Sequence, residues 1–167
     1  MPDFKTHLSQ AEKNLIILQG VNNHIPDSWD WQVTIGFYAA LHLANAHIAK
    51  TINAHYRSHS DMRNALNFEI TINPSKFDED AYIAYVRLQN LSRRARYLCS
   101  EDNQNQDYQK PYYISDKFFG KSLRLLSTVI SYFEGKYGIK INPIQIKCDR
   151  LQHNELPYFI KMGSTTK

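Results

Sequence analysis

At 167 residues, 43% hydrophobic and 22% charged, the chain has the size and composition of one globular domain, which argues against wholesale disorder. Six glycines and six prolines are too few for a collagenous chain, and too few for an all-β fold with its many tight turns. The formal charge of +4, from 20 basic and 16 acidic residues, permits an anionic partner without demanding one.

Two cysteines, Cys99 and Cys148, cannot build the disulfide framework of a small secreted domain and do not sit at zinc-finger spacing. They read as reduced thiols of a cytoplasmic protein. Met1-Pro2-Asp3-Phe4-Lys5 lacks the basic-then-apolar run of a secretory signal, and no uncharged apolar stretch of about 18 residues exists, so no membrane span is expected.

In chain order, Phe4, Leu8, Ala11, Leu15, Leu18 and Val21 recur at helical spacing behind Asp3 as N-cap, predicting a helix over 4–21. Asn22 to Asp27 reads as a connection. Asp27 or Ser28 then caps a second helix to about Ile52, apolar on most of its circumference and therefore expected at the centre of a bundle. Its small residues Gly36, Ala39, Ala40, Ala44 and Ala46 let neighbours approach closely, or admit a two-fold partner. A short third helix is expected over 60–68, and Asn73-Pro74 marks a loop. Asp78-Glu79-Asp80 loads the first turn of a fourth helix, which runs to about Cys99 with arginines in its C-terminal half, as the helix dipole favours. Residues 100–113 read as a long polar loop. Ser115 caps a fifth helix that stops near Tyr137-Gly138. The expected fold is all-α, a bundle of four to five helices over 1–138, with an irregular tail over 139–167 holding at most a short strand or turn and fraying from Gly163.

Three constellations carry chemistry. On helix two, Tyr38, His42 and Asn45 share a face. A buried imidazole there is either a hydrogen-bonded core residue or an acid or base at the bundle mouth. Next, His55-Tyr56-Arg57-Ser58-His59, with Arg63 one turn on, is an anion-binding composition whose His share depends on pH. It reads equally as a solvated loop that caps the next helix. His55 and His59 lack a third ligand at convincing spacing, so no metal is assigned. Finally, Arg87, Asn90, Arg94 and Tyr97 form one stripe on helix four, flanked by Arg93 and Arg96. Guanidinium, amide and phenol groups suit phosphates and unstacked bases, though the stripe is also an ordinary basic face near a helix C-terminus.

Phe37-Tyr38-Ala39-Ala40-Leu41-His42, within the run from Asp30, resembles the second-helix signature of the HEPN superfamily: an aromatic pair, two small residues, an apolar residue and His. His55-Tyr56-Arg57-Ser58-His59 resembles the His-x-Arg-Ser-His segment of a bacterial branch. Leu88 to Tyr97 resembles that branch's Leu-x-x-x-Ser-Arg-x-Ala-Arg-Tyr stretch. The resemblance covers residues 5–135 and implies an all-α bundle, often dimeric, linked to RNA. It implies either a metal-independent ribonuclease of a toxin–antitoxin or phage-defence system, or a non-catalytic partner of a nucleotidyltransferase or antitoxin. Ribonuclease members carry Arg, four to six residues, then His. Here Arg63-Asn64 opens that motif, but Phe68, Glu69 and Ile70 stand where the His belongs, and Arg150 and His153 are too close together. Catalysis would therefore rest on a nonstandard set drawn from His42, His55, His59, Arg63 and Arg94. Arg57, Arg87, Asn90, Arg93, Arg96 and Tyr97 would bind RNA or a nucleotide. No cofactor is expected. The second reading is a protein-interaction module.

Overall fold

In the computed structural model, which describes residues 1–97 and 114–162, helix α1 (Phe4–His24) begins where its cap places it. Asp3 has extended backbone, and its Oδ1 accepts the Thr6 N–H at 2.8 Å, satisfying one free donor of the first turn. Ala11, Leu15 and Leu18 fall on one buried stripe together with His7, Asn14 and Asn22. The segment read as a connection, Asn22-Asn23-His24, instead continues the helix. The Asn22 amide finds partners inside the fold, so its preference for turns is overridden.

Helix α2 (Trp29–Ile52) is the central element and touches α1, α4 (Glu79–Tyr97) and α5 (Asp116–Tyr137). Ser28 stands at its N-cap position, but the hydroxyl donates back to the Ile25 carbonyl at 2.7 Å. Gly36, Ala39, Ala40, Ala44 and Ala46 are all buried within this one chain, so that small-residue face is covered by the chain's own packing. Helix α3 (His59–Leu66) starts one residue before the expected position and stops short of Phe68; Ser58 Oγ accepts the Asp61 N–H, and Met62 and Leu66 anchor it. Asp78 Oδ1 caps α4 through the Ala81 N–H at 2.7 Å. Gly138, at φ 64°, ends α5 in the left-handed conformation that glycine takes without strain. The expected end of α4 at Cys99, the 100–113 loop and the Gly163–Lys167 end lie outside the described residues.

The core is built around Phe37, Tyr85, Phe119 and Phe133, each fully buried, and burying one such ring contributes about 2–3 kcal/mol. Phe4 stacks on Phe133 with ring centroids 5.6 Å apart, tying the start of α1 to α5. No helix among the described residues is long and apolar enough to cross a membrane.

The tail is irregular apart from two short strands, as expected. Strands β1 (Ile144–Ile146) and β2 (Phe159–Lys161) pair in parallel, with Ile144 opposite Phe159. Residues 147–158 supply the crossover that a parallel pair requires. Ile141, Ile144, Ile146, Leu151, Tyr158 and Phe159 join the core. Arg124 of α5 forks onto Glu155 at 2.5 and 3.1 Å, and Arg150 reaches Asp116 at 2.6 Å. Cys148 is a free, buried thiol, and burial pushes its pKa up; Cys99 lies outside the described residues.

The tail crosses α5 at Gly120. A Cβ there would meet the Arg150 Cβ at 2.9 Å and the Cys148 Sγ at 3.5 Å. Alanine normally stabilises a helix interior over glycine by about 1 kcal/mol. Gly120→Ala is expected to reverse that sign and cost about 1–2 kcal/mol by forcing the tail outward. Gly135→Ala, with nothing within 4 Å, is expected to keep the normal gain. Urea midpoints of the two variants check this; equal stabilisation by both would show that the crossing is not tight.

Candidate nucleic-acid interface

Helix α4 sorts its residues by side. Ala81, Ala84, Tyr85, Leu88, Leu91, Ser92 and Ala95 are buried against the bundle. At 100° per residue, Asn90, Arg93, Arg94 and Tyr97 fall opposite that buried arc, with Arg87 beside them. Arg87, Asn90, Leu91 and Arg94 line a groove of about 370 Å³ together with Lys121 of α5. Three positions from the predicted stripe are thus brought into one concavity. The stripe's fourth member, Tyr97, is 65% exposed beyond it.

The other flank of α4 packs on α2, and its arginines act on His59 at the start of α3. Arg96 donates its Nε–H to the Ser92 carbonyl at 3.3 Å, and its guanidinium lies 5.3 Å from the Tyr97 ring centroid. Arg96 and Ala95 share a smaller cleft with Asp30, Trp31 and Thr34, and Trp31 is 62% exposed there. His59, at the start of α3, packs its ring 5.5 Å from Phe37. Burial first, and then the charges of Arg96, Arg93 and Arg63, lower the His59 pKa. These effects favour the neutral form of His59, and among the described residues its buried Nδ1 has no hydrogen-bond partner.

A third cluster lies between α1, α2 and the loop that follows α2. His42 Nδ1 stands 3.2 Å from His7 Nδ1, and His7 Nε2 stands 3.2 Å from His55 Nδ1. Asn45 holds this loop by accepting the Tyr56 N–H at 3.3 Å. Asn53, left-handed at φ 50°, turns the chain out of α2. Burial, followed by the charges on His42 and His55, pushes His7 down to about 4. Burial, then His55, lowers His42 as well. Among the described residues, no group of three or more His, Cys, Asp or Glu is arranged to hold a metal ion.

The catalytic candidates thus divide among three clusters. His42 and His55 meet through His7, His59 and Arg63 sit with Arg93 and Arg96, and Arg94 lines the groove with Arg87. Arg57 is exposed, and Tyr38, of the same helix face as His42, is 38% exposed beside Phe37. Two contributors were missed from sequence. His7 left one signal, a lone imidazole on the apolar stripe of α1. Lys121 left none, because it reaches the groove from a different helix. Compared with protein-family models, with curated proteins and with solved structures, the chain finds no match.

Proposed function

We propose that this chain is an anion-binding helical bundle of the HEPN type, and that it holds RNA or a nucleotide on the outward face of α4. The observation that carries this reading is the convergence of Arg87, Asn90, Arg94 and Lys121 on one groove. A guanidinium presents a planar fork that matches phosphate oxygens, and an amide can read a base edge. Exposed Trp31 and Tyr97 flank the basic residues and suit stacking on unpaired bases. The reading includes a cytoplasmic homodimer in a toxin–antitoxin or phage-defence setting, as the HEPN resemblance implies.

A ribonuclease version is favoured by one specific arrangement, His59 half-buried among Arg63, Arg93 and Arg96, which favour its neutral form. A neutral imidazole can take the ribose 2′-OH proton while neighbouring guanidinium groups stabilise the charged phosphorane, without a metal.

Fluorescence anisotropy with a labelled single-stranded RNA tests the binding. Wild-type affinity is expected to fall steeply between 50 and 200 mM salt, and Arg87→Ala with Arg94→Ala to weaken it on the order of 10–100-fold while flattening the salt dependence. Cleavage that survives EDTA and is lost in His59→Ala would establish the nuclease version. Absence of salt-sensitive retention would sink the RNA reading and leave a protein-interaction module, with an antitoxin or nucleotidyltransferase as partner.

A further inference from the structure

Three imidazoles in a row impose a proton count. The ring planes are tilted by 34° between His7 and His42 and by 16° between His7 and His55, with centroids 5.5 and 5.1 Å apart. Each N···N contact of 3.2 Å requires one hydrogen. His7 is buried at 3% exposure and uses both of its nitrogens, one toward each neighbour. A neutral His7 carries one N–H, so it donates to one neighbour and accepts from the other. One of His42 and His55 must then present Nδ1–H to His7, and the other a bare Nδ1.

The outer nitrogens follow by subtraction. In the neutral row, the ring that turns Nδ1–H inward has a bare Nε2 on its outer side, and the other ring has Nε2–H there. Both outer rings are half-buried, and neither Nε2 makes a hydrogen bond within the protein among the described residues. One end of the row is thus a base and the other an acid, and His7 fixes which is which. The row does not converge on a point, because His7 addresses its neighbours through different nitrogens. It is therefore built for passing protons and not for gripping a metal.

We infer that His42–His7–His55 is a proton relay, a coupled acid–base pair whose ends communicate through the buried His7. A proton taken up at His42 Nε2 shifts the Nδ1 hydrogen of His42 onto His7 Nδ1. The Nε2 hydrogen of His7 moves to His55 Nδ1, and the Nε2 hydrogen of His55 leaves. One proton enters and one departs, so the charge of the row is unchanged and every tautomer is reversed. The reverse passage restores the first state. Such a row serves a reactant that loses a proton at one atom and gains one at another, as an ester does under attack by water or a hydroxyl. His7 is a positioning residue in this scheme, because it touches only the two outer imidazoles.

Among the described residues, His42, His55 and Asp3 are the ionisable groups acting on His7. His42 and His55 oppose its protonation, as does burial, and Asp3 favours it. That balance keeps His7 neutral, which the relay requires. The relay does not use the α4 face, so RNA retention and the relay stand or fall separately.

Long-range 1H–15N NMR on the intact, 15N-labelled protein tests it, with ring signals assigned from single His variants. At pH 7.5 the Nδ1–H fractions of His42 and His55 are expected to add to one. On lowering the pH to 6, any change in the tautomer of one outer ring is expected to be matched by the opposite change in the other, with His7 still neutral. In His7→Asn, whose amide keeps a donor and an acceptor but cannot pass a proton, the outer rings are expected to respond independently. Two outer rings both in the Nε2–H form, or a protonated His7 at pH 6, would overturn the relay. The wild-type spectrum alone decides the matter if His7→Asn fails to fold.

Discussion

Acidification from pH 7.5 to pH 5 is expected to remove about 4 kcal/mol of folding stability, half of it through His47. His47 is completely buried in α2. Its Nε2 lies 3.0 Å from the Ser75 carbonyl, which can only accept, so Nε2 carries the hydrogen. The neutral ring then offers a bare Nδ1 to the Tyr137 hydroxyl at 2.8 Å. Burial first, and Lys136 second, push His47 down to about 4, against the weaker opposing pull of the Ser75 bond. The sign follows from linkage. Between the unfolded value near 6.5 and the folded value near 4, the unfolded chain binds more protons, so stability is complete above about pH 6.5 and falls toward pH 4. At pH 5 this comes to about 2 kcal/mol for His47 and a similar amount for His7. His42 and His59 act in the same direction. Urea midpoints at the two pH values check the total, and His47→Gln, which cannot titrate, should remove roughly half of the pH dependence. Unchanged stability at pH 5 would show that these rings are not held neutral.

Replacing Asn22 by alanine is expected to cost about 3 kcal/mol, or roughly 10 °C in Tm. The Asn22 amide is fully buried. It accepts the Lys147 N–H at 2.7 Å and donates to the Lys147 carbonyl at 3.0 Å and to Gln32 Oε1 at 2.8 Å. Gln19, one turn earlier, accepts the Gln145 N–H at 2.7 Å. Two side chains of α1 therefore do for β1 what a neighbouring strand would do. Truncation at Asn22 leaves the buried Gln32 Oε1 and the part-buried Lys147 N–H and carbonyl without this partner, which is the costly case. Asn22→Asp is expected to be worse, because it removes both donors and buries a charge. Thermal melts measure the loss, and hydrogen exchange at the Lys147 amide locates it. A Lys147 amide as protected in Asn22→Ala as in the wild type would show that the tail is held by other contacts.

Asn22 also shows where sequence reasoning stops. The long helices are legible because their apolar residues recur with the helical period, and Asp3, Asp78 and Gly138 mark ends by local chemistry alone. Asn22 looks like a turn residue until its partner, 125 residues away, is in view. The two strands of the tail are three residues each, too short for a period, and their pairing is set by what α1 and α5 offer. The candidate site divides in the same way. Arg87, Asn90 and Arg94 are legible as a group because one helix carries them. Lys121 and the His42–His7–His55 row depend on which helices become neighbours, and spacing within one segment carries no information about that.

The tail's hold on α1 has a consequence for the order of assembly. The C-terminal end of α1 is made long before β1, yet the backbone groups that satisfy Gln19 and Asn22 belong to residues 145 and 147. A chain emerging from the ribosome can collapse α1 against α2 early, but that end of α1 keeps unmet hydrogen-bond demands until β1 has been made. Closure of this seam is thus timed by the arrival of β1, and a chain stalled before β1 would carry a nascent bundle with its seam still open.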